Sequence, residues 1–490
     1  MRFFYPVVTV LVILFGCQVT MASTVGSKPN ILWIYVEDTN AWMGAYGDHT
    51  VPTPNIDSLA STGVRFDQAI MPAPVCSATR SALITGSMQT TLGLHNHRSA
   101  RTDVAPIYLP QGHKTIPELF REHGYATFNI GKDDYNFVYE RARLYSEHPG
   151  PLAGHQGSQD GPDFDWAGTL KDRPFFGQIQ LRGGKHKVGT IKKLTRPLDR
   201  GQVTLPPYYP DIPALRDAWA EHYDTIVVTD HELGAILGQL EDNGLLANTA
   251  VFFFSDHGMK LYRHKQFLYE GGVKVPFIVN WPAGSEQLRK LGAERAELVA
   301  GLNIGTSSLA LAGIPIPGYM EGIDLFAEGY RPQAHVVSAR DRCDFTFDRI
   351  RSVRTERFRY IRNYMPERGL MQPSYRDKWP VTKDYRAAYQ AGLFNVVQAV
   401  LMADSRPEEE LYDLQADPHQ IHNLAGDPAQ TMTLETHRRI LDDWIEQTGD
   451  KGQYPESDAG VAEVLGMYGE KCAAPECEAY RAKHGELPGQ

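Results

Sequence analysis

Three carboxylates and one histidine stand directly after two short apolar segments of the chain. Glu37 and Asp38 follow the first segment, and Asp256 and His257 follow the second. Hard oxygen ligands of this kind suit Ca²⁺ or Mg²⁺, and the histidine would shift the preference toward Mn²⁺. Buried together without a cation, the carboxylates would repel one another and their pKa values would rise. The pattern predicts a metal site, with helix caps or solvated loop acids as the alternative.

The segment CSATR at residues 76–80 combines a thiol, Cys76, with a cation, Arg80, one helical turn further along. It leads into a helical-looking stretch, and the free N–H groups at a helix N-terminus favour anions and lower the pKa of a thiol. Arg80 could bind a tetrahedral oxyanion through two hydrogen bonds. A lone cysteine is usually an inert buried thiol, but this context favours a reactive centre.

Other basic side chains are weaker candidates for the same site. Lys132 follows one apolar segment, and Lys185 and His186 follow another. Lys265 is a further candidate cation. Because most lysines lie on the surface, none of these residues would stand out alone.

The apolar segments that precede these side chains have the length and the aromatic and β-branched content of buried strands. They cover residues 30–36, 125–130, 175–181 and 250–255, with helical patterns between them. This alternation predicts an α/β fold with a large, mostly parallel sheet sandwiched by helices. Ligands bind at the carboxyl ends of the strands in such sheets, so we expect the candidate residues to meet in one site.

The pattern changes after about residue 345. Residues 350–363 alternate basic or polar with apolar side chains, as antiparallel strands do, and residues 430–447 look like one amphipathic helix. The tail after Lys451 is predicted to be loop. We expect a catalytic domain over 28–345 and a smaller α+β domain with an antiparallel sheet over 346–490.

The N-terminus, residues 1–22, is typical of a secretory signal peptide. Arg2 precedes an apolar run over residues 3–15, which is too short to span a bilayer comfortably. We therefore expect a secreted or periplasmic protein. If Cys17 received a lipid, the protein would be anchored to a membrane.

Net charge and cysteine content fit that compartment. The formal charge of −10 does not suit a general polyanion binder, so nucleic acid is not an expected partner. Cys472 and Cys477 could form a disulfide in an oxidising space, whereas Cys343 is expected to be a buried thiol.

Taken together, the motifs resemble the type I sulfatases, the formylglycine-dependent family within the alkaline-phosphatase superfamily. Residues 76–80 resemble its Cys-x-Pro/Ala-x-Arg signature, in which the cysteine is oxidised to formylglycine. Further motifs follow the family's order at Glu37-Asp38, Gly131-Lys132, Ser255-Asp256-His257-Gly258 and Lys265. Within the family, the chain resembles sulfatases like heparan N-sulfatase and its bacterial relatives.

The resemblance implies an alkaline-phosphatase-like fold and hydrolysis of sulfate esters or N-sulfates of a sulfated glycan. The hydrated aldehyde at position 76 would attack sulfur, and its second hydroxyl would later release sulfate by elimination. The implied catalytic residues are Cys76, Arg80, Lys132, Asp134, His186 and Lys265, with His186 protonating the leaving atom. The implied ligands of Ca²⁺, or of Mg²⁺ or Mn²⁺, are Glu37, Asp38, Cys76, Asp256 and His257. The implied partners are a sulfated oligo- or polysaccharide and a formylglycine-generating maturation enzyme.

The chain departs from the family at both metal motifs. Glu37 stands where Asp is usual, and His257 stands where Asn is common. Asp-His-Gly occurs among relatives that hydrolyse phosphonates and phosphate diesters. These departures leave the identity of the metal open.

The proton-transfer positions also differ from the family. The chain has Lys132-Asp133-Asp134 in place of Lys-x-His, so Asp134 is expected to take the proton from the diol, with His95 and His97 as rivals. Around His186 the register is loose by one residue, so Lys185 could be the matching position.

Four residues near the domain junction, Asp341, Arg342, Arg351 and Arg354, are candidates for binding sugar sulfates or carboxylates, together with Lys185. Alternatively, they pair with local acids. Two other functions compete with a sulfatase. One is a phosphodiesterase or phosphonate monoester hydrolase on the same scaffold, and the other is a catalytically silent, sulfatase-like glycan-binding protein in which Cys76 is never oxidised.

Overall fold

A computed structural model describes residues 28–147, 166, 170, 173–186, 191 and 197–485 of the chain. The predicted signal peptide and the candidate lipidation position, Cys17, lie outside the described residues. Within the part that is described, no helix is long and apolar enough to cross a membrane.

Seven strands form the larger sheet: β1 (Asn30–Val36), β2 (Val64–Ile70), β3 (Ala126–Ile130), β4 (Phe175–Leu181), β5 (Thr249–Ser255), β6 (Lys274–Asn280) and β7 (Glu294–Ala300). Their spatial order is β3-β4-β1-β5-β6-β2-β7. β6 runs antiparallel to both of its neighbours, whereas all other pairs are parallel. The prediction of a mostly parallel sheet is therefore confirmed. The four strands expected from apolar segments, β3, β4, β1 and β5, lie side by side.

The apolar sequence of β1 follows from burial of this strand on both faces. Successive side chains of a strand point to opposite faces, so Trp33 belongs to one apolar cluster and Ile34 to another. Parallel strands covered on both faces need such continuous apolar runs.

Helices supply the apolar side chains that cover these two faces. On the side of Ile34 pack α1 (Pro54–Thr62) and the long α5 (Pro213–Asp242). On the side of Trp33 pack α2 (Cys76–Thr85), α3 (Ile116–Glu122) and α8 (Asn303–Leu311). The shorter helices are α4 (Arg141–Leu144), α6 (Glu270–Val273) and α7 (Ser285–Arg289). The sheet is therefore sandwiched by helices, as predicted.

A second, antiparallel sheet contains β8 (His335–Arg340), β9 (Ile350–Thr355), β10 (Phe358–Asn363) and β11 (Glu409–Asp413), in the order β11-β10-β9-β8. The alternating pattern over 350–363 corresponds to the hairpin of β9 and β10. Because β8 precedes residue 346, this sheet begins on the catalytic side of the predicted domain boundary. The boundary itself stays a prediction.

The C-terminal helices are α9 (Pro380–Gln390), α10 (Val396–Ala399), α11 (Thr431–Thr448), α12 (Asp458–Tyr468) and α13 (Pro475–His484). The prediction of loop after Lys451 is wrong, because α12 and α13 lie there. Their apolar side chains are buried together with Phe347 and the disulfide between Cys472 and Cys477. The local sequence pattern does not show this tertiary packing.

Candidate active site

The carboxyl ends of the parallel strands meet at one cavity of about 740 Å³. Asp38 follows β1, Lys132 follows β3 and Lys185 follows β4, and all three line this cavity together with Cys76 and Lys265. These residues come from five distant parts of the sequence. The convergence expected from the strand pattern is therefore present.

Cys76 is the first residue of α2, which is separated from β2 by five residues and is buried along its whole length. The thiol lies among cations, with the Nζ atoms of Lys185 and Lys265 each 3.3 Å from Sγ. Burial alone would raise the pKa of Cys76, but the nearby lysines and His257 outweigh it and hold the pKa well below its usual value. Negative charge is therefore strongly favoured at this position.

The thiol and three side chains next to it have the arrangement of a metal site. The ligand atoms of Asp38, Cys76, Asp256 and His257 all lie within 4.8 Å of one another. His257 Nε2 is 3.1 Å from Cys76 Sγ and 3.4 Å from Asp38 Oδ1. His257 Nδ1 lies 2.9 Å from the Gly258 carbonyl oxygen and can only donate to it. In the neutral ring this leaves the lone pair of Nε2 to bind a metal ion.

Asp256 shows that this cluster fits a cation. Its side chain is fully buried, and Oδ2 has no hydrogen-bond donor among the described residues. Burial raises the pKa of Asp256 to about 6, because the charged form is poorly solvated. A divalent cation would compensate the buried charge, so the donor set of carboxylate oxygens and one imidazole fits Ca²⁺, Mg²⁺ or Mn²⁺.

Glu37, the fifth predicted ligand, contacts three cations instead. Oε1 accepts from Lys132 Nζ at 2.8 Å and from Arg80 Nη2 at 3.2 Å. Oε2 lies 3.0 Å from Lys185 Nζ. Burial would raise the pKa of Glu37, but these cations lower it below its usual range. Its role as a metal ligand stays a prediction, while its observed role is to hold the basic side chains around the cavity.

Arg80 lies one turn along α2 from Cys76, with only 1% of its side chain exposed. Nη1 donates to Gln180 Oε1 at 2.6 Å, and the guanidinium carbon lies 4.3 Å from the ring centre of Tyr35. These contacts fix the guanidinium beside the acids of the metal cluster, with Nη2 3.6 Å from Asp256 Oδ2. Gln180 was not identified from the sequence, because a glutamine at the end of a strand carries no distinctive signal.

Asp134, the predicted proton acceptor, lies between two cations. Oδ2 is 2.8 Å from Lys132 Nζ, and Oδ1 accepts from Arg101 Nη2 at 2.7 Å. Burial would raise the pKa of Asp134, but Lys132 and His97 contribute to a net lowering. The carboxylate lines the cavity, and it is held as an anion.

His97 is the rival acceptor that the fold places beside Asp134. A ring nitrogen of His97, Cys76 Sγ and an oxygen of Asp134 lie within 4.8 Å of one another. His95, in contrast, lines a separate cavity of about 440 Å³ that Cys76 does not line. The structure therefore leaves Asp134 and His97 as the candidates.

The structure corrects the assignment of His186. Its Nε2 is 3.2 Å from Glu232 Oε2, its side chain is buried, and it does not line the cavity, whereas Lys185 does. The chain between them and β4 turns tightly at Gly183, where a Cβ would lie 2.1 Å from the Glu37 carbonyl oxygen. Lys185 Nζ lies 3.3 Å from Cys76 Sγ, whereas His186 contacts Glu232 of α5.

The three arginines near the domain junction are also corrected as substrate-binding residues. Each side chain is at most 5% exposed and paired with local acids. The partners are Glu456 for Arg342, Asp341 and Asp450 for Arg351, and Glu270 for Arg354. None of the three lines the cavity at Cys76. Their guanidinium groups instead connect segments of the fold.

Comparisons with known proteins agree with this geometry. The family model described as Sulfatase matches residues 29–314. An ulvan-active sulfatase of Formosa agariphila is 31% identical over 479 residues, which covers 88% of this chain and 77% of that protein. The N-sulphoglucosamine sulphohydrolase of Homo sapiens is 26% identical over 471 residues, which covers 86% of this chain and 90% of that protein.

A solved structure carries the same fold with a different named activity. The phosphonate monoester hydrolase of Agrobacterium radiobacter matches with a TM-score of 0.61 and 16% identity, over 86% of this chain and 96% of that one. At this identity the likeness shows the fold alone. The names of the sequence relatives fit the predicted class of sulfuric ester hydrolase.

Proposed function

Because the chain belongs to the sulfatase family, we propose that it removes sulfate from a sulfated glycan through an oxidised Cys76 and a divalent metal. The observation that carries this proposal is the position of Cys76 at the start of α2, with the amino groups of Lys185 and Lys265 each 3.3 Å from Sγ. A dense tetrahedral anion bound there would be neutralised from several sides.

The proposed nucleophile is the hydrated aldehyde that forms after oxidation of Cys76 to formylglycine. One hydroxyl attacks sulfur, the S–O or S–N bond to the sugar breaks, and the sulfate group stays on the side chain. The second hydroxyl then gives up its proton, the bond between carbon and the sulfate oxygen breaks, and the aldehyde returns. The first residue of a buried helix holds this group in one orientation, as such displacement requires.

The metal would be held by Asp38, Asp256 and His257 together with the side chain at position 76. When bound, such an ion supplies Lewis-acid polarisation and neutralises negative charge. Ca²⁺ suits the carboxylate oxygens, while His257 keeps Mn²⁺ and Mg²⁺ as alternatives.

Basic side chains would stabilise the charge that develops on the sulfuryl oxygens. Arg80, Lys132, Lys185 and Lys265 are already fixed by Glu37 and Asp38, so little reorganisation is needed when substrate binds. Lys185 would donate the proton to the leaving atom. Asp134 or His97 would accept the proton of the second hydroxyl.

A sulfated oligo- or polysaccharide is the proposed substrate. The relatives support it by their names, one being active on ulvan and another acting on N-sulphoglucosamine. We further propose export of the mature chain, with a formylglycine-generating enzyme as its maturation partner. The competing phosphodiesterase and phosphonate hydrolase functions are not favoured, because both sequence relatives are named for sulfate chemistry.

The test uses the full chain co-expressed with a formylglycine-generating enzyme, and a Cys76→Ala variant as the control. Mass analysis of the peptide that contains position 76 should show loss of sulfur, and the protein should release sulfate from a sulfated glycan. The variant should release none. A matched pair of aryl sulfate and phosphate diester substrates separates the alternatives, since a clear preference for the phosphate diester would overturn the sulfatase assignment. Binding of glycan by a protein that retains the cysteine and releases no sulfate would support the silent alternative.

A further inference from the structure

The outer part of the cavity at Cys76 is formed by two segments from the C-terminal part of the chain. One wall segment covers residues 373–379, and the other presents Tyr468 and Lys471. Each brings one lysine and at least one aromatic ring to the cavity, which is an unusual pairing for two segments so far apart in sequence. Binding of one sulfate group at Cys76 does not explain why these lysines and aromatic rings line the cavity.

The first segment is fixed to the catalytic residues by the buried guanidinium of Arg376. This group donates to the backbone carbonyl oxygens of Lys260 and Lys265 at 3.0 and 2.8 Å, and to Gln266 Oε1 at 2.8 Å. Lys378, two residues further on, is therefore presented from a backbone anchored beside the catalytic Lys265.

Trp379, at the end of the same segment, is half-buried and offers an aromatic surface. It packs edge-to-face against Tyr375, with ring centres 5.5 Å apart. Both rings line the cavity. Rigid aromatic rings supply a large contact area at little cost in conformational entropy, and their apolar faces suit the C–H faces of a sugar ring.

The second segment is fixed by a disulfide and by a hydrogen bond. Tyr468 OH donates to Asp344 Oδ1 at 2.7 Å. Lys471 directly precedes Cys472, which is fully buried and joined to Cys477. Lys471 itself is exposed at the cavity. The backbone that carries Lys471 is thus anchored beside the cavity.

The two outer lysines differ from the inner ones in their charge partners. Lys132, Lys185 and Lys265 are paired with acids of the catalytic centre. Lys260 lies 3.4 Å from Glu221. Lys378 and Lys471 form no ion pair with any residue that the structure describes. They are therefore available to an anion that comes with the substrate.

We propose that Lys378 and Lys471 form a second anion subsite, flanked by Trp379 and Tyr468. It would take the carboxylate or sulfate of the sugar unit next to the one that loses its sulfate. This inference rests on the proposed function and narrows its substrate class to oligosaccharides with at least two anionic groups. A sugar that carries a single sulfate and has only neutral neighbouring units would leave both lysines without an anionic partner.

The test compares four substrates on the matured full-length protein. Two are sulfated disaccharides with an anionic second unit, which is a uronate in one and a sulfated sugar in the other. The remaining two are the same disaccharide with a neutral second unit and a small aryl sulfate. Lys378→Gln and Lys471→Gln should each raise KM for the dianionic disaccharides by about fivefold, the scale of one exposed ion pair. kcat should be unchanged, and KM for the aryl sulfate should stay at the wild-type value. The effect should shrink at high salt.

Lys383→Gln is the matched control, because Lys383 is an exposed lysine of α9 that does not line the cavity. Its KM values should equal those of the wild type. If the wild-type protein does not distinguish anionic from neutral second units, or if both outer variants keep the wild-type KM, the subsite is excluded although the sulfatase activity stands.

A binding measurement separates this result from failure of the proposed function. In a Cys76→Ala background, calorimetric titration with the dianionic disaccharides needs no turnover. Weaker binding after the outer substitutions supports the subsite even if the matured protein releases no sulfate. Equal affinity for dianionic and neutral-flanked disaccharides overturns it.

Discussion

His97 Nδ1 lies 3.1 Å from Asp344 Oδ1, and this buried pair stands beside the position of the nucleophile. The same Asp344 oxygen accepts a hydrogen bond from Tyr468 OH at 2.7 Å. A carboxylate behind an imidazole fixes the ring orientation and stabilises its protonated form. The pair therefore places a histidine beside the nucleophile in a chain that lacks the histidine of the usual Lys-x-His motif, and although burial lowers the pKa of this histidine, Cys343 and Asp344 raise it.

Substitution of His97 is expected to block release of sulfate from the enzyme. His97→Gln should lower kcat by about 10²- to 10⁴-fold, the usual contribution of a general base. Because elimination needs the proton acceptor but the first attack does not, sulfated enzyme should accumulate, and intact-protein mass analysis can detect it. Asp134→Asn serves as the comparison. Accumulation of sulfated enzyme in that variant alone would assign the acceptor to Asp134.

Exchange of Lys185 should reduce activity far more than exchange of its neighbour His186. Lys185 Nζ is 3.3 Å from Cys76 Sγ, whereas His186 is paired with Glu232 outside the cavity. Lys185→Gln should lower kcat/KM by about 10²- to 10³-fold, as for the loss of one preorganised charge-stabilising group. His186→Gln should cost about 1–3 kcal/mol of stability by disturbing a buried hydrogen bond.

Both variants are compared by kcat/KM on an aryl sulfate and by thermal unfolding. We expect Lys185→Gln to lose activity and His186→Gln to lose stability. An equal loss of activity in a folded His186→Gln protein would restore the original assignment of His186 as the acid.

The fold class, the family and the enzyme class were predictable because they depend on local patterns. Strands buried on both faces read as apolar runs, and polar residues at their ends mark the site, as in Asn30–Val36 followed by Asp38. The sequence-based predictions failed where a tertiary contact determines the position of a residue or the structure of a segment. Lys185 rather than His186 faces Cys76 after the turn at Gly183, and α12 and α13, where loop was predicted, pack in one apolar cluster with Phe347.

The arginines near the domain junction also show where prediction from sequence fails. Arg351 follows the alternating pattern of a strand, yet its acids, Asp341 and Asp450, come from outside that strand. A sequence cannot say whether a basic side chain is neutralised within the fold or is free for a ligand.

Removal of a divalent cation should destabilise the protein, because Oδ2 of the buried Asp256 would then have, among the residues that the structure describes, no hydrogen bond and no closer cation than Arg80 Nη2, 3.6 Å away. At a free metal concentration of about 100 times Kd, binding adds about 2.7 kcal/mol to stability. A chelator should therefore lower Tm, and Ca²⁺ should restore it. Asp256→Asn removes the buried charge, so Tm of this variant should respond much less to chelator. An unchanged Tm of the wild-type protein after complete chelation would contradict the metal site.

Glu270 is expected to make a pH-dependent contribution to stability. Its carboxylate, at the start of α6, pairs with Arg354 and Arg359 of the small sheet. Burial would raise the pKa of Glu270, but Arg359 and Arg354 outweigh it and lower the pKa to about 2. A lowered pKa means that the ionised carboxylate stabilises the fold above its unfolded pKa, about 4.3. This stabilisation is lost as the pH falls through about 2.

Glu270→Gln should therefore cost about 3–5 kcal/mol at pH 7, because it leaves two buried arginines without their partner. The difference from the wild type should shrink as the pH is lowered below about 4. Urea unfolding of the wild type and the variant, at pH 7 and below about pH 4, measures the difference in their stability. Glu367→Gln is the matched control, since Glu367 is 67% exposed and its pairing with Arg368 at 3.7 Å should contribute less than about 1 kcal/mol. A difference for Glu270→Gln that is as small as the control, or that does not change with pH, would show that this ion pair does not connect the two sheets energetically.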